Sequence, residues 1–333
     1  MVRKVKKEKS KTHIFVTLLL IASIVTLSYK YIITPRNQHM LRKQYDDITS
    51  LHSSLKMTSD PSEDKATPIP SVSKSLGKLK SHNAILIRLK DQTTLMQKNS
   101  EEKIYPASLT KMMTAIVAIE NLPNLNEEVK LTNSAFQELH REDASMAGFQ
   151  PNEQVTALDL LYGTLLPSGA ECCIGLAEQI AGSEQNFVKM MNQKASELGM
   201  RNTHFENTTG LQNQNHYTTV KDLAILLSYA LQNDTFRVIF TSSHHSTQPT
   251  NKHPGGITFY STMFKELNNQ NIIGGEILGG KTGYTNEAGL CLASLAKVGK
   301  QDYILISAGA KGDHHSEQYN ITDALAVYNS IGK

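Results

Sequence analysis

Three apolar segments near the end of the chain place the strongest constraint on its fold. They read EILGGKTGYT (276–285), AGLCLASLAKVG (288–299) and DYILISAGA (302–310), and only short turns separate them. Short turns join antiparallel neighbours, whereas parallel neighbours need a long crossover. An earlier stretch, AILIRLKDQTTLMQKN (84–99), predicts a hairpin. We therefore expect an antiparallel sheet built from both ends of the folded domain.

The middle of the chain, roughly residues 132–245, has the apolar spacing of helices. The segment 158–182 predicts two helices separated by a Pro-Ser-Gly break, and 183–199 predicts a third, which starts at a serine and ends at a glycine. Further helices are expected over 108–121 and 316–329. These patterns predict a mixed α+β fold, an antiparallel sheet flanked by helices with an inserted all-helical lobe.

The distribution of charge argues against nucleic-acid binding. The 333 residues carry a formal net charge of +3, and Lys and Arg crowd into the first eleven positions. Without that run the remainder is slightly acidic, so no nucleic-acid partner is expected.

Neither the cysteines nor the histidines predict a metal or redox site. The odd number of cysteines does not form a disulfide framework, and we expect buried thiols at Cys172, Cys173 and Cys291. The pairs at 244–245 and 314–315 lack a spaced third ligand and are expected in surface loops. No metal or organic cofactor is predicted.

An apolar segment follows the basic start of the chain. Residues 14–29 carry no charge, and with Lys30 snorkelling the segment approaches the ~20 residues that cross a bilayer. A cleavable signal peptide is the alternative, but no small-x-small cleavage site follows. We predict a cytoplasmic tail at 1–13, a single transmembrane anchor at 14–33 and a polar extracytoplasmic stalk at 34–79. The domain at 80–333 would then lie outside the cell membrane.

The stretch PASLTKMMTAI (106–116) contains a Ser-x-x-Lys pattern with two interpretations. It is typical of an ordinary capped helix start, and it also suits a nucleophile with its base. On a helix Ser108 and Lys111 share one face, and the helix N-terminus favours an oxyanion. Lys111 accepts a proton near neutral pH only if its pKa falls, which burial beside a second cation achieves.

Two further tripeptides, KTG at 281–283 and SGA at 168–170, complete a possible site. Lys281 supplies the second cation, Thr282 can bind a substrate carboxylate, and Gly283 lets a substrate backbone lie close to the strand. Ser168 lies in the break between two predicted helices. Each pattern is weak alone, but their order and separations of roughly 60 and 110 residues make coincidence improbable.

Residues 80–333 resemble the penicillin-binding-protein type of D-alanyl-D-alanine carboxypeptidases, whose fold is shared with class A β-lactamases. The resemblance rests on PASLTKMMT, on LLPSGAECCIGLAEQIAGSEQNFVKMMN followed by LGMRNTHFENTTGL, and on GGKTGYTNEAGLCLASLA. It implies a serine carboxypeptidase that acts on peptidoglycan stem peptides ending in D-Ala-D-Ala, with β-lactams as covalent inhibitors. Similar enzymes accompany glycopeptide resistance.

The same resemblance implies roles for the motif residues. Ser108 would be the nucleophile, Lys111 its general base and Ser168 a proton relay near the leaving group. Lys281 and Thr282 would hold the terminal carboxylate of the substrate. The backbone N–H groups of Ser108 and Tyr284 would form the oxyanion hole. Water would then hydrolyse the acyl-enzyme.

One departure from the family pattern concerns the second motif. Ser-Gly-Asn is usual there, whereas this chain has Ala170, which has no side-chain donor or acceptor. Glu171 follows, but on a regular helix its side chain points elsewhere. We therefore expect poor penicillin binding. A β-lactamase-like hydrolase and a non-catalytic receptor for penicillin or cell-wall fragments remain the alternatives.

Overall fold

The computed structural model describes residues 79–133, 136, 139, 142, 144–267 and 269–332. The predicted tail at 1–13, the anchor at 14–33 and the stalk at 34–79, apart from its last residue, lie outside this part of the chain. Within the described residues, no helix combines the length and apolarity that crossing a membrane requires.

A six-stranded antiparallel sheet forms the centre of the domain. Numbered in chain order, its strands are β1 (Asn83–Arg88), β2 (Thr93–Lys98), β7 (Asn271–Ile272), β8 (Gly275–Thr285), β9 (Gly289–Val298) and β10 (Gln301–Ala310). Their spatial order is β2-β1-β10-β9-β8-β7, so the first hairpin pairs with the last strand of the chain. This confirms the sheet predicted from the two ends of the domain.

Eight helices pack around the sheet in the described residues. Their N-termini mostly carry Ser, Thr or Asn caps, for example Ser183, whose Oγ accepts from the N–H of Asn186. The helix predicted over 183–199 is present and ends at Glu197, and Gly199, with φ +76°, follows its C-cap Leu198. The helices are α1 (Lys111–Asn121), α2 (Ala157–Leu165), α3 (Ala170–Ala181), α4 (Glu184–Glu197), α5 (Val220–Ala230), α6 (Asp234–Thr241), α7 (Thr262–Glu266) and α8 (Tyr319–Ile331).

Both faces of the sheet are buried, which makes it the middle layer of three. Along β1, Ile85 and Ile87 face a core shared with α1 to α6, while Ala84 and Leu86 face a smaller core that contains α8. Successive side chains of a strand point to opposite faces, so continuous apolar strands require cover on both sides. The helical lobe covers one face and the closing helix α8 covers the other.

Two small sheets lie outside the predicted elements. β3 (Glu128–Lys130) pairs with β4 (Gln154–Thr156), and β5 (His244–Ser246) pairs with β6 (Thr258–Tyr260). The surface-loop prediction is therefore wrong for the pair at 244–245, since His245 is half-buried, its Nε2 lies 2.6 Å from Asp159 and its ring stacks on Tyr162. Strands of three residues leave too little periodicity to detect. The pair at 314–315 lies in an exposed turn, as predicted.

The start of the domain is tied to α8 by a buried carboxylate. The two oxygens of Asp323 accept from the backbone N–H groups of Lys80 and Ser81, at 3.0 and 2.7 Å, and Asp323 is 5% exposed. Removing the carboxylate leaves two N–H groups without these acceptors.

We expect Asp323→Ala to lower the free energy of unfolding by about 1–3 kcal/mol. The measurement is urea unfolding followed by far-UV circular dichroism. Asp234→Ala is the matched control, because this exposed aspartate lies in the first turn of α6, and its effect should stay within about 0.5 kcal/mol. Equal losses in the two variants would contradict the anchoring role of Asp323.

Candidate active site

Ser108 lies in a short 3₁₀ turn that leads directly into α1. The turn spans Ala107–Thr110, and Ala107 has a left-handed backbone with φ +46°. The sequence predicted a helix over these residues; the helix is present, but its first turn is tighter than an α-helix. Lys111 is the first residue of α1, and its Nζ lies 3.0 Å from Ser108 Oγ and donates to the carbonyl of Thr209 at 2.6 Å. The serine and the lysine of the first motif are thus in hydrogen-bond contact.

The break between α2 and α3 presents Ser168 to the same site. Ser168 has φ +70° and is 4% exposed. Its Oγ accepts from Lys281 Nζ at 2.9 Å, and Lys281 also donates to the carbonyl of Thr282 at 2.8 Å. A Cβ on Gly169 would lie 2.6 Å from that of Ala147, so the break requires a residue without a side chain here.

Strand β8 forms one wall of the site. One edge of β8 pairs with β9 along its length. Among the described residues, the other edge pairs with a strand, β7, only at Gly275 and Glu276, so no strand covers that edge from Lys281 to Thr285. Gly283 packs against the 3₁₀ turn that contains Ser108, where a Cβ would lie 3.1 Å from Ser108 N. The structure thus gives a second reason for this glycine beside the predicted one, because the turn also needs the space.

A cleft of about 130 Å³ opens between the three motifs. Ser108, Ser168, Thr282, Gly283 and Tyr284 line it, which brings together the predicted residues apart from the two buried lysines. The sequence analysis missed other lining residues, because they come from α7, the turn before α8, the first turn of α8 and a loop. They include Ser145, Thr262, Lys265, Glu266, His314 and Asn320.

Two of the missed residues touch predicted ones. Thr262 Oγ1 lies 2.6 Å from Thr282 Oγ1, which forms a pair of hydroxyl groups at the cleft. The ring of His314 meets that of Tyr284 edge-on, with 4.9 Å between centroids. A helix of five residues and an exposed turn carry no periodic signal, so nothing in the sequence pattern singled these residues out.

The two lysines of the site are both withdrawn from water. Lys111 is 2% exposed and Lys281 is fully buried. Burial lowers the pKa of Lys111, because desolvation disfavours the ammonium form. Burial also lowers the pKa of Lys281 well below its usual range, and the charge of Lys111 lowers it further. Burial is therefore the largest cause at both lysines, and the repulsion between the two cations adds to it.

Glu171 points away from the cleft, as its helical register predicts. Its Oε1 accepts from the backbone N–H groups of Ala147 and Gly148, at 2.8 and 2.9 Å, and its side chain is fully buried. Burial raises the pKa of this carboxyl. Ala170, which replaces the usual asparagine, is 1% exposed, and its N–H donates to the carbonyl of Ser145. Glu171 holds the 147–149 loop and does not take the place of the missing amide.

The cysteines are buried thiols, as predicted. Burial raises the pKa of Cys173 to about 11 and that of Cys291 to about 12, so neither is a thiolate near neutral pH. These thiols are therefore poorly suited to act as nucleophiles.

A sequence profile of the peptidase S11 family, D-alanyl-D-alanine carboxypeptidase, matches residues 70–312. The chain belongs to this family. It is 35% identical over 234 residues to the D-alanyl-D-alanine carboxypeptidase DacF of Bacillus subtilis, a match that covers 68% of this chain and 57% of the relative. It is 31% identical over 240 residues to DacC of Escherichia coli, which covers 69% of this chain and 56% of the relative. The chain thus spans somewhat over half the length of these two relatives.

The fold is also that of solved family members. The crystal structure of the Streptomyces K15 DD-transpeptidase superposes with a TM-score of 0.67 and 27% identity, covering 76% of this chain and 97% of that one. This likeness confirms the predicted D,D-peptidase fold, with its antiparallel sheet and helical lobe.

His216 is buried beside the 3₁₀ turn that contains Ser108, and its burial predicts that stability depends on pH. His216 is 2% exposed, and burial, with a smaller contribution from His204, lowers its pKa to about 4 from an ordinary 6.5. The unfolded chain binds a proton at His216 below about pH 6.5, whereas the native state excludes it down to about pH 4. The stability that the neutral ring contributes is therefore present above pH 6.5 and is lost as the pH falls towards 4.

We expect His216→Gln to weaken this pH dependence. The free energy of unfolding of the unmodified chain should fall between pH 6.5 and 4 because of His216. In the variant this fall should be smaller by up to about 3 kcal/mol. Urea unfolding at pH 7.0 and 4.5 measures the difference. His244→Gln, at an exposed position, is the control. An identical pH dependence in the unmodified chain and His216→Gln would refute the assignment.

Proposed function

We propose that this protein is a serine D-alanyl-D-alanine carboxypeptidase that removes the terminal D-alanine from peptidoglycan stem peptides. The proposal rests on the contact between Lys111 Nζ and Ser108 Oγ at 3.0 Å, beside a second buried lysine that bonds to Ser168. Family membership supports the same reaction class. A capped helix start alone does not require two buried lysines that converge on two serines.

In the acylation step, Lys111 acts as the general base. Its lowered pKa increases the share of neutral amine, which takes the proton of Ser108 as Oγ attacks the carbonyl carbon of the penultimate D-alanine. The backbone N–H groups of Ser108 and Tyr284 stabilise the oxyanion. The C–N bond then breaks, and the proton that Lys111 took from Ser108 passes through Ser168, which Lys281 orients, to the amine of the leaving D-alanine.

The substrate binds along the open side of β8. An extended peptide adds to such an edge through backbone hydrogen bonds, which suits a stem peptide that carries D-residues. The adjacent hydroxyl groups of Thr282 and Thr262 are suited to donate to its terminal carboxylate. Lys265, which is exposed and lines the cleft, adds positive charge near that group, while Lys281 is engaged with Ser168 and its own strand.

Water completes the cycle by attacking the ester on Ser108. The alternative of a β-lactamase-like hydrolase needs a separate carboxylate for deacylation, and Glu171, adjacent to the second motif, already accepts from the 147–149 loop. Acyl transfer to an amine is a second candidate, because the K15 neighbour is described as a DD-transpeptidase. A receptor without catalysis gives no reason for the contact between Ser108 and Lys111.

The proposed cellular location rests on the sequence of the first 33 residues. We propose that residues 14–33 anchor the protein in the cell membrane and that the catalytic domain lies on the extracytoplasmic side, where peptidoglycan stems are available. The uncharged run and the preceding lysines support this orientation. β-Lactams, as analogues of the D-Ala-D-Ala terminus, are the expected covalent inhibitors of Ser108.

The direct test is release of D-alanine from a peptide ending in Lys-D-Ala-D-Ala by the full 333-residue chain. Ser108→Ala should abolish release because it removes the nucleophile. Lys111→Arg should lower kcat by about a thousandfold, because a guanidinium keeps its proton and does not act as a base.

Two outcomes would contradict the proposal. Release that persists in Ser108→Ala would place the chemistry elsewhere, and near-normal turnover by Lys111→Arg would remove Lys111 as the base. Urea unfolding of each variant shows whether the loss reflects catalysis or folding. A folded, unmodified chain without any release would favour a receptor role.

Ala170 predicts slow reaction with penicillin. We expect labelling of Ser108 by a fluorescent penicillin to be slow, and Ala170→Asn to speed it about fivefold by restoring one side-chain hydrogen bond to the acyl group. Ala181→Asn, at the other end of α3, is the matched control and should not change the rate. Rapid, stoichiometric labelling of the unmodified chain at low penicillin concentration would contradict this prediction.

A further inference from the structure

A buried histidine contacts the last residue of the turn that holds the proposed nucleophile, directly before the proposed base Lys111. His216 Nε2 lies 2.9 Å from Oγ1 of Thr110, the last residue of the turn that holds Ser108. His216 is 2% exposed and Thr110 is fully buried. The two residues are 106 positions apart in the chain, and neither has a part in the proposed reaction.

The surroundings of His216 determine which ring nitrogen carries the proton. The backbone N–H of Glu206 donates to Nδ1, at 3.4 Å, so Nδ1 is the acceptor of the ring. A neutral imidazole has one donor and one acceptor, which leaves the proton on Nε2. His216 therefore donates to the hydroxyl oxygen of Thr110 and accepts from the backbone of its own loop.

The loop of residues 206–216 also contacts α1 at two other points. The carbonyl of Thr209 accepts from Lys111 Nζ, and the carbonyl of Thr208 accepts from Thr114 Oγ1, each at 2.6 Å. The hydrogen bond between His216 and Thr110 adds a third contact at the end of this loop. Three bonds from one loop to one end of a helix restrict both sliding and rotation of the helix against the loop.

Close packing makes the same junction rigid. Gly210 has φ +83°, and a Cβ there would lie within 2 Å of the carbonyl oxygen of Ala107. Asn207 Oδ1 accepts from the N–H of Gly210 at 2.7 Å, which holds the loop backbone in this approach. The position of Lys111 Nζ between Ser108 Oγ and Thr209 O therefore depends on how the loop is held.

We propose that His216 is a positioning residue, which through its bond to Thr110 holds Lys111 Nζ in contact with Ser108 Oγ. This inference rests on the proposed function. His216 does not line the cleft, so it contributes nothing to substrate binding and acts on the proton transfer to Lys111. Small displacements of a general base lower the rate of such a step strongly.

A purely structural role is the competing explanation. The ring of Phe205 meets His216 edge-on, with 5.6 Å between centroids, so His216 also fills space in the core. A residue that only fills space changes the stability of the protein but leaves the turnover of the folded molecules unchanged. Measuring kcat and KM separately in folded variants distinguishes the two roles.

The experiment uses Thr110→Val, His216→Leu, His216→Gln and the double variant Thr110→Val/His216→Leu in the full chain, with kcat and KM for D-alanine release. We expect Thr110→Val and His216→Leu each to lower kcat about tenfold while KM stays within about twofold. The double variant should be no slower than the slower single one, because both remove the same bond. His216→Gln should recover most of kcat, since its amide nitrogen reaches the position of Nε2.

Controls make every outcome informative. His244→Gln, at an exposed histidine outside the cleft, should keep the kcat of the unmodified chain. Normal kcat in Thr110→Val and His216→Leu, or losses that multiply in the double variant, would overturn the positioning role. If His216→Leu does not fold, Thr110→Val decides alone, because valine keeps the shape of threonine.

Failure of the proposed function gives a different result. In that case the unmodified chain releases no D-alanine, and the rate of Ser108 labelling by fluorescent penicillin serves as the readout for the same variants. Absence of both reactions in the unmodified chain would overturn the function and the positioning role together.

Discussion

Two buried lysines are the constraint on which the rest of the site depends. Lys111 is 2% exposed and Lys281 is fully buried, and an ammonium group in such a place needs acceptors. Ser108 Oγ and the carbonyl of Thr209 surround one, while Ser168 Oγ and the carbonyl of Thr282 surround the other. The hydrogen-bonding needs of the lysines therefore bring the two serines and two backbone segments together.

The architecture supplies this arrangement by placing each acceptor on a separate element. The nucleophile turn enters α1, Ser168 interrupts two helices of the lobe, and Lys281 lies on β8 in the middle layer. Because both faces of the sheet are covered, the site sits where the helical lobe meets an open strand edge. A cleft at such a junction is dry enough to lower lysine pKa values and open enough to admit an extended peptide.

Of the five residues other than glycine with positive φ in the described part of the chain, two lie where these elements meet. Ala107 and Ser168 both have positive φ, an uncommon conformation for residues with a Cβ, and both lie in motifs of the site. Their surroundings hold them there, since Gly210 and Gly283 pack against the nucleophile turn and Gly169 packs against Ala147. The glycines of the site thus serve close approach between segments that are distant in sequence.

The local pattern of the sequence predicted many of the strands and helices of the fold. The strands β1, β2, β8, β9 and β10 and the helices around the Pro-Ser-Gly break follow from apolar periodicity and turn residues, because these elements are long enough for a period to appear. Ser108 and Lys111 indicated a nucleophile with its base and Lys281 a second cation, while the roles of the motif residues, including Ser168, were implied by the resemblance to the D-alanyl-D-alanine carboxypeptidases.

Tertiary structure alone decided which groups complete the site. Thr262, Lys265 and His314 reach the cleft from a five-residue helix and a turn, and His216 reaches Thr110 across 106 residues. It also decided that burial dominates the pKa of Lys111 and that Gly283 faces the nucleophile turn. The physical reason is that periodicity records only which side of an element faces the core, whereas desolvation and contacts across the fold depend on where separate elements meet.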